Sequence, residues 1–429
     1  MKLAGRIAAA IEVLAEIFTR NRPASEALKD WGKAHRFAGS TDRHVIGTLV
    51  YDALRNRNSA AMRAGSDAAR GLVLGTLADI WQLPQGEIET LCTEQFGPGE
   101  LTAQEKKALA SPVAKDAAPH ILGNFPQWLE NDLRKTFGEH LGVEMAALSQ
   151  RAPVDLRVNT LKAARDDVLQ AFAKFEAKPT PFSTTGIRVP ASGIDVRNVN
   201  VEAEPAHGMG QFEVQDEASQ IAALLTGVKP KDTVLDLCAG AGGKSLALAA
   251  LMQNNGKLVA YDRDKHRLRP IFERITRSGA ACIEVVPYDE PQKLKVLGGY
   301  DLVVVDAPCT GSGTWRRKPD AKWRLSEKQL QIRLKEQVSV LEQAAPLVGK
   351  GGKLAYFTCS VLPQENGDQV QAFLKSHDQF KIIPYTEQWM AALGSTPPQS
   401  ADGRTDTLQL SPHSHGTDGF FVAVMQRVS

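Results

Sequence analysis

Two cysteines stand in contexts that suit covalent chemistry. Cys309 lies in Asp306-Ala307-Pro308-Cys309-Thr310-Gly311-Ser312-Gly313, and Cys359 in Thr358-Cys359-Ser360. Each motif follows a short apolar run, 302–305 and 354–357, that reads as a buried strand. Open α/β sheets bind ligands outside the carboxyl ends of their strands, so both thiols fall where a reacting group would sit. A thiolate is a strong nucleophile and also a competent leaving group. That pairing suits a reaction in which the nucleophile adds and later departs. Carbon 5 of cytosine poses this need, because it is a poor nucleophile until a thiolate adds at carbon 6 and leaves an enamine-like ring. An acid near N3 assists the addition, and Asp306 is the candidate. A lone cysteine is more often a small buried hydrophobe, which is how Cys92 and Cys282 read. The five cysteines are odd in number and form no CxxC pair, which argues against a disulfide framework or a structural zinc site. Reduced thiols of a cytoplasmic enzyme without a metal are expected.

The elements that must carry these residues form a doubly wound pattern. From about residue 210, apolar runs at 233–237, 257–261, 283–287, 302–306 and 353–357 alternate with helical stretches, the longest near 326–345. Final strands are expected at 381–384 and 419–425. The first strand enters Asp236-Leu237-Cys238-Ala239-Gly240-Ala241-Gly242-Gly243-Lys244-Ser245. Glycines here let the backbone approach a ligand and open a helix whose N-terminus faces it. The dinucleotide fingerprint fails at Ser245 and the phosphate loop fails at Cys238, although 303–306 resembles the aspartate-bearing strand of an ATPase. An S-adenosylmethionine loop is the third reading. In it, Asp262 after the second strand binds ribose hydroxyls and Asp289 after the third lies near adenine. Both aspartates also suit ordinary turn capping. The candidate cofactor set is Asp236, Cys238, Ala239, Gly240, Gly242, Gly243, Lys244, Asp262, Arg267, Asp289 and Asp306.

The front half has a different texture. Residues 1–92 carry helical periodicity, with Ile7, Ile11, Leu14 and Phe18 on one face and a helix N-capped by Thr41. Glu12 and Glu16 interrupt what would otherwise resemble a signal peptide, and no apolar run is long enough to span a membrane. A Gly- and Pro-rich stretch, 96–124, marks a boundary. Beyond it, helices near 128–137 and 164–175 and short strands at 154–158 and 186–189 suggest a small α+β unit. The expected domains are therefore 1–124, all-helical; 125–209, small α+β; and 210–429, α/β.

The cysteine motifs, with Gln215-Asp216-Glu217-Ala218-Ser219-Gln220, Gln364-Glu365-Asn366, Arg317-Lys318-Pro319-Asp320 and Asp418-Gly419-Phe420-Phe421, resemble the Nol/Nop/Sun RNA cytosine-C5 methyltransferases over 210–427. The cofactor loop departs from the family at Ala241, where proline is usual. The resemblance implies a class I methyltransferase sheet with an antiparallel last strand and S-adenosylmethionine as methyl donor. It implies Cys359 as nucleophile and Cys309 as the residue that assists product release. The front half, in Ser40-Thr41-Asp42-Arg43-His44-Val45-Ile46, Pro126-Gln127-Trp128-Leu129 and Arg157-Val158-Asn159-Thr160-Leu161-Lys162, resembles the bacterial Sun/RsmB ribosomal RNA branch. That branch has a NusB-like helical domain and an RNA-recognition-like middle region.

A net charge of +2 cannot by itself argue for nucleic acid, so local clusters must. Residues 1–63 hold eleven Lys/Arg against six Asp/Glu, and residues 312–335 hold eight against two. In the second cluster Arg316, Arg317, Lys318 and Trp323 are the candidate RNA contacts, pairing cations with an aromatic beside the Cys309 loop. A solvated helix face is the plain alternative. The expected partner is RNA, ribosomal first and transfer RNA second, bound by a monomer. A DNA cytosine methyltransferase would use the Pro-Cys thiol as nucleophile and carry a late recognition insertion. Only a short segment lies between the strand expected at 381–384 and Phe420, and the second cysteine is present. A non-catalytic assembly factor would have lost Cys359, Cys309, Asp306 or the glycine loop, and all four are intact.

Overall fold

The computed structural model describes residues 1–191, 193, 199–296 and 299–429. Helices Leu3–Arg20, Ala24–Ala34, Ser40–Arg55, Arg57–Ala64, Ala69–Asp79 and Gln85–Thr93 surround one apolar core. Ile7, Leu14, Ile46, Leu49 and Leu72 are fully buried in it, each worth about 1.5–3 kcal/mol of burial. The Ser40 helix starts one residue before its expected cap. Thr41 lies in its first turn, and Asp42 reaches back to accept the Gly39 N–H at 2.9 Å.

The helix expected near 128–137 in the small α+β unit is Glu130–Phe137, and a second helix, Leu141–Leu148, follows it. They pack on the catalytic half instead. Phe125, Leu133, Phe137 and Met145 share a core with Trp315, Val361 and Leu362, which lie shortly after the two cysteines. This core supports both cysteine loops from behind. The small sheet is β1 (Val154–Val158), β2 (Lys178–Pro179), β3 (Gly186–Val189) and β4 (Phe212–Val214), in the order β2-β3-β1-β4 and antiparallel throughout. β4 lies past the expected boundary at 209. It belongs here because Phe212 packs edge-to-face on Phe172, ring centres 5.2 Å apart.

Among the described residues the main sheet has eight strands: β5 (Thr233–Asp236), β6 (Lys257–Ala260), β7 (Ile283–Val285), β8 (Tyr300–Asp306), β9 (Val348–Thr358), β10 (Phe380–Ile383), β11 (Leu408–Leu410) and β12 (Phe420–Arg427). β7-β6-β5-β8-β9 run parallel; β12 lies antiparallel to β9 and carries β10 and β11. Val303, Val304, Tyr356 and Phe357 are fully buried, as parallel strands covered on both faces require. Asp306 pairs with Phe357 across β8 and β9, so the two cysteine motifs leave the sheet side by side. Among the described residues, no helix is long and apolar enough to cross a membrane.

The helical domain is fastened to the catalytic half through helix Pro319–Arg324. The Trp323 indole N–H donates to the Leu54 carbonyl at 2.5 Å. Lys322 is fully buried between the Trp315 and Trp323 rings, at 6.0 and 5.0 Å, and donates to the Arg55 carbonyl at 3.2 Å. Burial first, and the Arg55 charge second, bring this lysine down to about 7. An unfolded lysine holds its proton to about pH 10.4. Between those values the unfolded chain binds more protons, so this group makes stability rise with pH. Lys322→Met is expected to remove that slope without loss of stability at neutral pH, since a buried unpaired charge is costly. Urea unfolding of both proteins between about pH 6.5 and 9.5 checks this; equal slopes in the two would contradict it.

Candidate active site

Cys309 and Cys359 are part-buried, with their sulfurs 3.4 Å apart. The loops that carry them are tied by backbone bonds. Gly313 N–H donates to the Cys359 carbonyl at 3.0 Å, and Gly419 N–H to the Gly313 carbonyl at 2.9 Å. A side chain at Gly313 would put its Cβ 1.9 Å from the Gly419 carbonyl oxygen, so this crossing of two motifs requires glycine. Asp306, at the end of β8, accepts from Lys244 Nζ at 3.2 Å. Lys244 also donates to Ser219 at 2.6 Å and sits 4.6 Å over the Phe420 ring. Five sequence motifs therefore meet at the carboxyl ends of β5, β8 and β9.

The glycine loop leads away from the thiols along the same edge. Asp236 is fully buried; one oxygen accepts from Ser245 at 2.7 Å and the other has no partner. Burial pushes its carboxyl up to about 7. Ser245, the residue that breaks the dinucleotide fingerprint, thus anchors the strand-end acid. Asp262, also buried, accepts the Gly240 N–H at 3.0 Å and the Asp264 N–H at 2.8 Å. Ala239 N–H donates to the Tyr261 carbonyl at 2.9 Å. Gly242 has φ +87° and begins the turn into helix Gly243–Leu251; a Cβ there would lie 2.5 Å from Ile271. Cys238 lines the cleft between these loops, and burial drives its thiol far above the usual range.

That cleft is also lined by Tyr261, Asp262, Arg263, Arg267 and Pro308, and by Glu336, Ser339 and Gln343 of helix Glu327–Ala344. Arg267 stands 3.7 Å from Asp262 with its side chain half exposed. Asp289 is exposed, and its neighbour Tyr288 accepts at its carbonyl from the hydroxyl of the cleft residue Tyr261 at 3.2 Å. A second cleft opens at Cys309, lined by Thr310, Arg324, Leu325, Gln329, Ile332 and Arg333. Arg324 has a buried Nε without a partner, while its Nη2 donates to Asp320 at 2.8 Å.

Three of the expected RNA contacts turn inward. Arg316 is buried and donates to Asp418, and Arg317 bridges Asp418 and Asp216, the latter at 2.8 Å. These carboxylates raise the Arg317 guanidinium above its ordinary value despite burial. Trp323 is committed to the helical domain. Only Lys318 remains exposed. The reason is long-range pairing: Asp216 and Asp418 stand about a hundred residues from the arginines on either side. The cations that line the cleft with Cys309 are Arg324, a member of the same basic cluster, and Arg333.

The residues 223–426 match the family model described as 16S rRNA methyltransferase RsmB/F, and residues 125–197 match its ferredoxin-like domain. A probable ribosomal RNA small subunit methyltransferase B of Synechocystis sp. is 31% identical over 309 residues, covering 71% of this chain and 67% of its own length. The chain belongs to the RsmB/F methyltransferase family. A human 28S rRNA (cytosine(4447)-C(5))-methyltransferase is 30% identical over 287 residues, covering 65% of this chain and 34% of the human protein. The crystal structure of PH0851 superposes over 99% of both chains with TM-score 0.74 and 25% identity. The aligned stretch spans about two thirds of the bacterial relatives' length, 67% and 66% in two of them. Membership makes the chain a methyltransferase, and its parallel sheet with an antiparallel β12 is the Rossmann-like fold of that class.

Proposed function

We propose that the chain methylates carbon 5 of a cytosine in structured ribosomal RNA of the small subunit, with S-adenosylmethionine as donor, through an adduct on Cys359 that Cys309 helps to resolve. The contact between the two sulfurs at adjacent strand ends carries this reading. The residues of the first cleft fit the donor. The buried carboxylate of Asp262, which lines it, suits ribose hydroxyls, and the unpartnered oxygen of Asp236, at the end of β5, suits a cationic amine. Bound there, S-adenosylmethionine supplies an electrophilic methyl group.

The chain's own residues do the rest. Cys359 thiolate adds to carbon 6, forming a carbon–sulfur bond and moving an electron pair toward N3 and carbon 5. Asp306, positioned by Lys244, serves N3 in its protonated form: its carboxyl proton is donated to N3 as the electron pair arrives and returns to the carboxylate when the ring reforms. After methylation the carbon 5 proton leaves to solvent, the ring double bond reforms and the carbon–sulfur bond breaks. The Cys309 S–H, in contact with the departing sulfur, donates to the thiolate as it leaves. Arg324 and Arg333, in the cleft beside Cys309, replace Arg316, Arg317 and Trp323 as the residues we assign to RNA phosphates and unpaired bases.

The test is radioactive methyl transfer to small-subunit ribosomal RNA, transfer RNA and duplex DNA at one salt concentration, because phosphate contacts make affinity salt-dependent. We expect preferential labelling of ribosomal RNA. Preferential labelling of transfer RNA would overturn the substrate assignment; labelling of DNA alone would overturn the RNA reading.

A further inference from the structure

Glu365 lies in the short turn Pro363–Glu365 after β9 and touches neither cleft, yet it is completely buried and none of the steps above uses it. Its carboxylate faces both cysteine loops. Oε1 accepts from Thr310 N–H at 2.8 Å and from Gln337 Nε2 at 3.0 Å. Oε2 accepts from Thr310 Oγ1 and Ser360 Oγ, both at 2.5 Å. Thr310 directly follows Cys309 and Ser360 directly follows Cys359. Gln337 also donates to the Pro308 carbonyl at 3.0 Å, just before Cys309. An ionised carboxylate has about four acceptor sites, and here each oxygen takes two donors. The proton directions are then fixed. Ser360 donates to Glu365, so Ser312 must donate to Ser360 at 2.8 Å. Val361 N–H in turn donates to Ser312 at 2.9 Å. One carboxylate thus sets the register of both loops.

It also places a negative charge beside one thiol. The groups around Cys309 are Cys359 and Tyr356 of β9, Glu365, Asp306 at the end of its own strand, Arg324 from helix Pro319–Arg324 and Arg333 from helix Glu327–Ala344. Arg324 is engaged by Asp320 and Arg333 by Glu336. The contact with Cys359, then burial, then the Cys359 and Glu365 charges push the Cys309 thiol up. A thiol that keeps its proton can donate to the leaving sulfur; a thiolate cannot.

We propose that Glu365 is a positioning residue that locks the Cys309 and Cys359 loops in register and presents its buried charge to the Cys309 loop. This rests on the methyltransferase reading above only for the release step. Glu365→Gln keeps the shape: its carbonyl can face Thr310 N–H and Gln337, while its amide donates to the two hydroxyls, which rotate. The charge is lost and the Thr310 and Ser360 hydroxyls turn from donors to acceptors, while the loop contacts stay in place. In the full chain we expect KM for RNA unchanged within about twofold, kcat lowered about tenfold, and more RNA–protein adduct on a denaturing gel. Independently of RNA and donor, the pH midpoint for iodoacetamide alkylation of Cys309, read on its peptide by mass spectrometry, should fall by about one unit. Thr310→Val, which deletes only the Oγ1 tie, should raise the adduct fraction by a smaller factor, and it serves if Glu365→Gln fails to fold. Wild-type release together with a wild-type Cys309 alkylation profile in Glu365→Gln would overturn the proposal, as would wild-type release in Thr310→Val. The alkylation arm stands whether or not ribosomal RNA is the substrate.

Discussion

Cys359→Ala is expected to lower methyl transfer by roughly 10⁴-fold or more, the scale of removing a covalent nucleophile, and to leave no RNA–protein adduct. Cys309→Ala should behave differently. The sulfurs are 3.4 Å apart, so removing Cys309 leaves Cys359 free to attack but takes away the donor nearest its sulfur. The adduct should then form and persist through a denaturing gel, with product released at a small fraction of the wild-type rate. The double variant should resemble Cys359→Ala, because nothing remains to release. An adduct in Cys359→Ala that vanishes in Cys309→Ala would reverse the two roles and favour the arrangement described for DNA cytosine methyltransferases.

Asp418→Ala is expected to be the most damaging substitution away from the thiols. Asp418 is buried, receives both Arg316 and Arg317, and its N–H donates to Asp216 at 3.1 Å. Removing it leaves two guanidinium groups, one of them buried, to share Asp216 alone. Breaking one side of a buried ion pair costs about 3–5 kcal/mol, far more than the net worth of the pair. The damage should also reach the thiols, because Gly419 holds Gly313, and Gly313 holds the Cys359 carbonyl. Asp418→Asn keeps the shape and should cost less. Denaturant unfolding measures both; a loss under about 1 kcal/mol for Asp418→Ala would show that the arginines find other partners.

The cysteine pair was legible because it depends on local signals only: an apolar run predicts a strand, and the next residues must lie at its carboxyl end. The glycine loop and Asp262 were legible for the same reason. What escaped depends on pairing between distant segments. Arg316 and Arg317 have the composition of an RNA surface, and only Asp216 and Asp418 turn them inward. Glu365 stands in a segment recognised by resemblance, yet nothing local says that it faces Thr310 and Ser360. The helix at 130–137 was placed with the small sheet by adjacency in the chain, whereas its apolar face, with that of the helix at 141–148, matches Trp315, Val361 and Leu362. β4 was lost because three residues give too short an alternation to assign to a sheet.

The most direct measurement is to digest the adduct trapped by Cys309→Ala with trypsin and ribonuclease and to identify the modified peptide by mass spectrometry. The covalent account predicts a cytosine nucleotide bonded to Cys359 on the peptide containing Thr358-Cys359-Ser360, with 5-methylcytidine in the RNA that the wild-type protein releases. A nucleotide on any other residue, or 5-methylcytidine formed at the wild-type rate by Cys359→Ala, would contradict it.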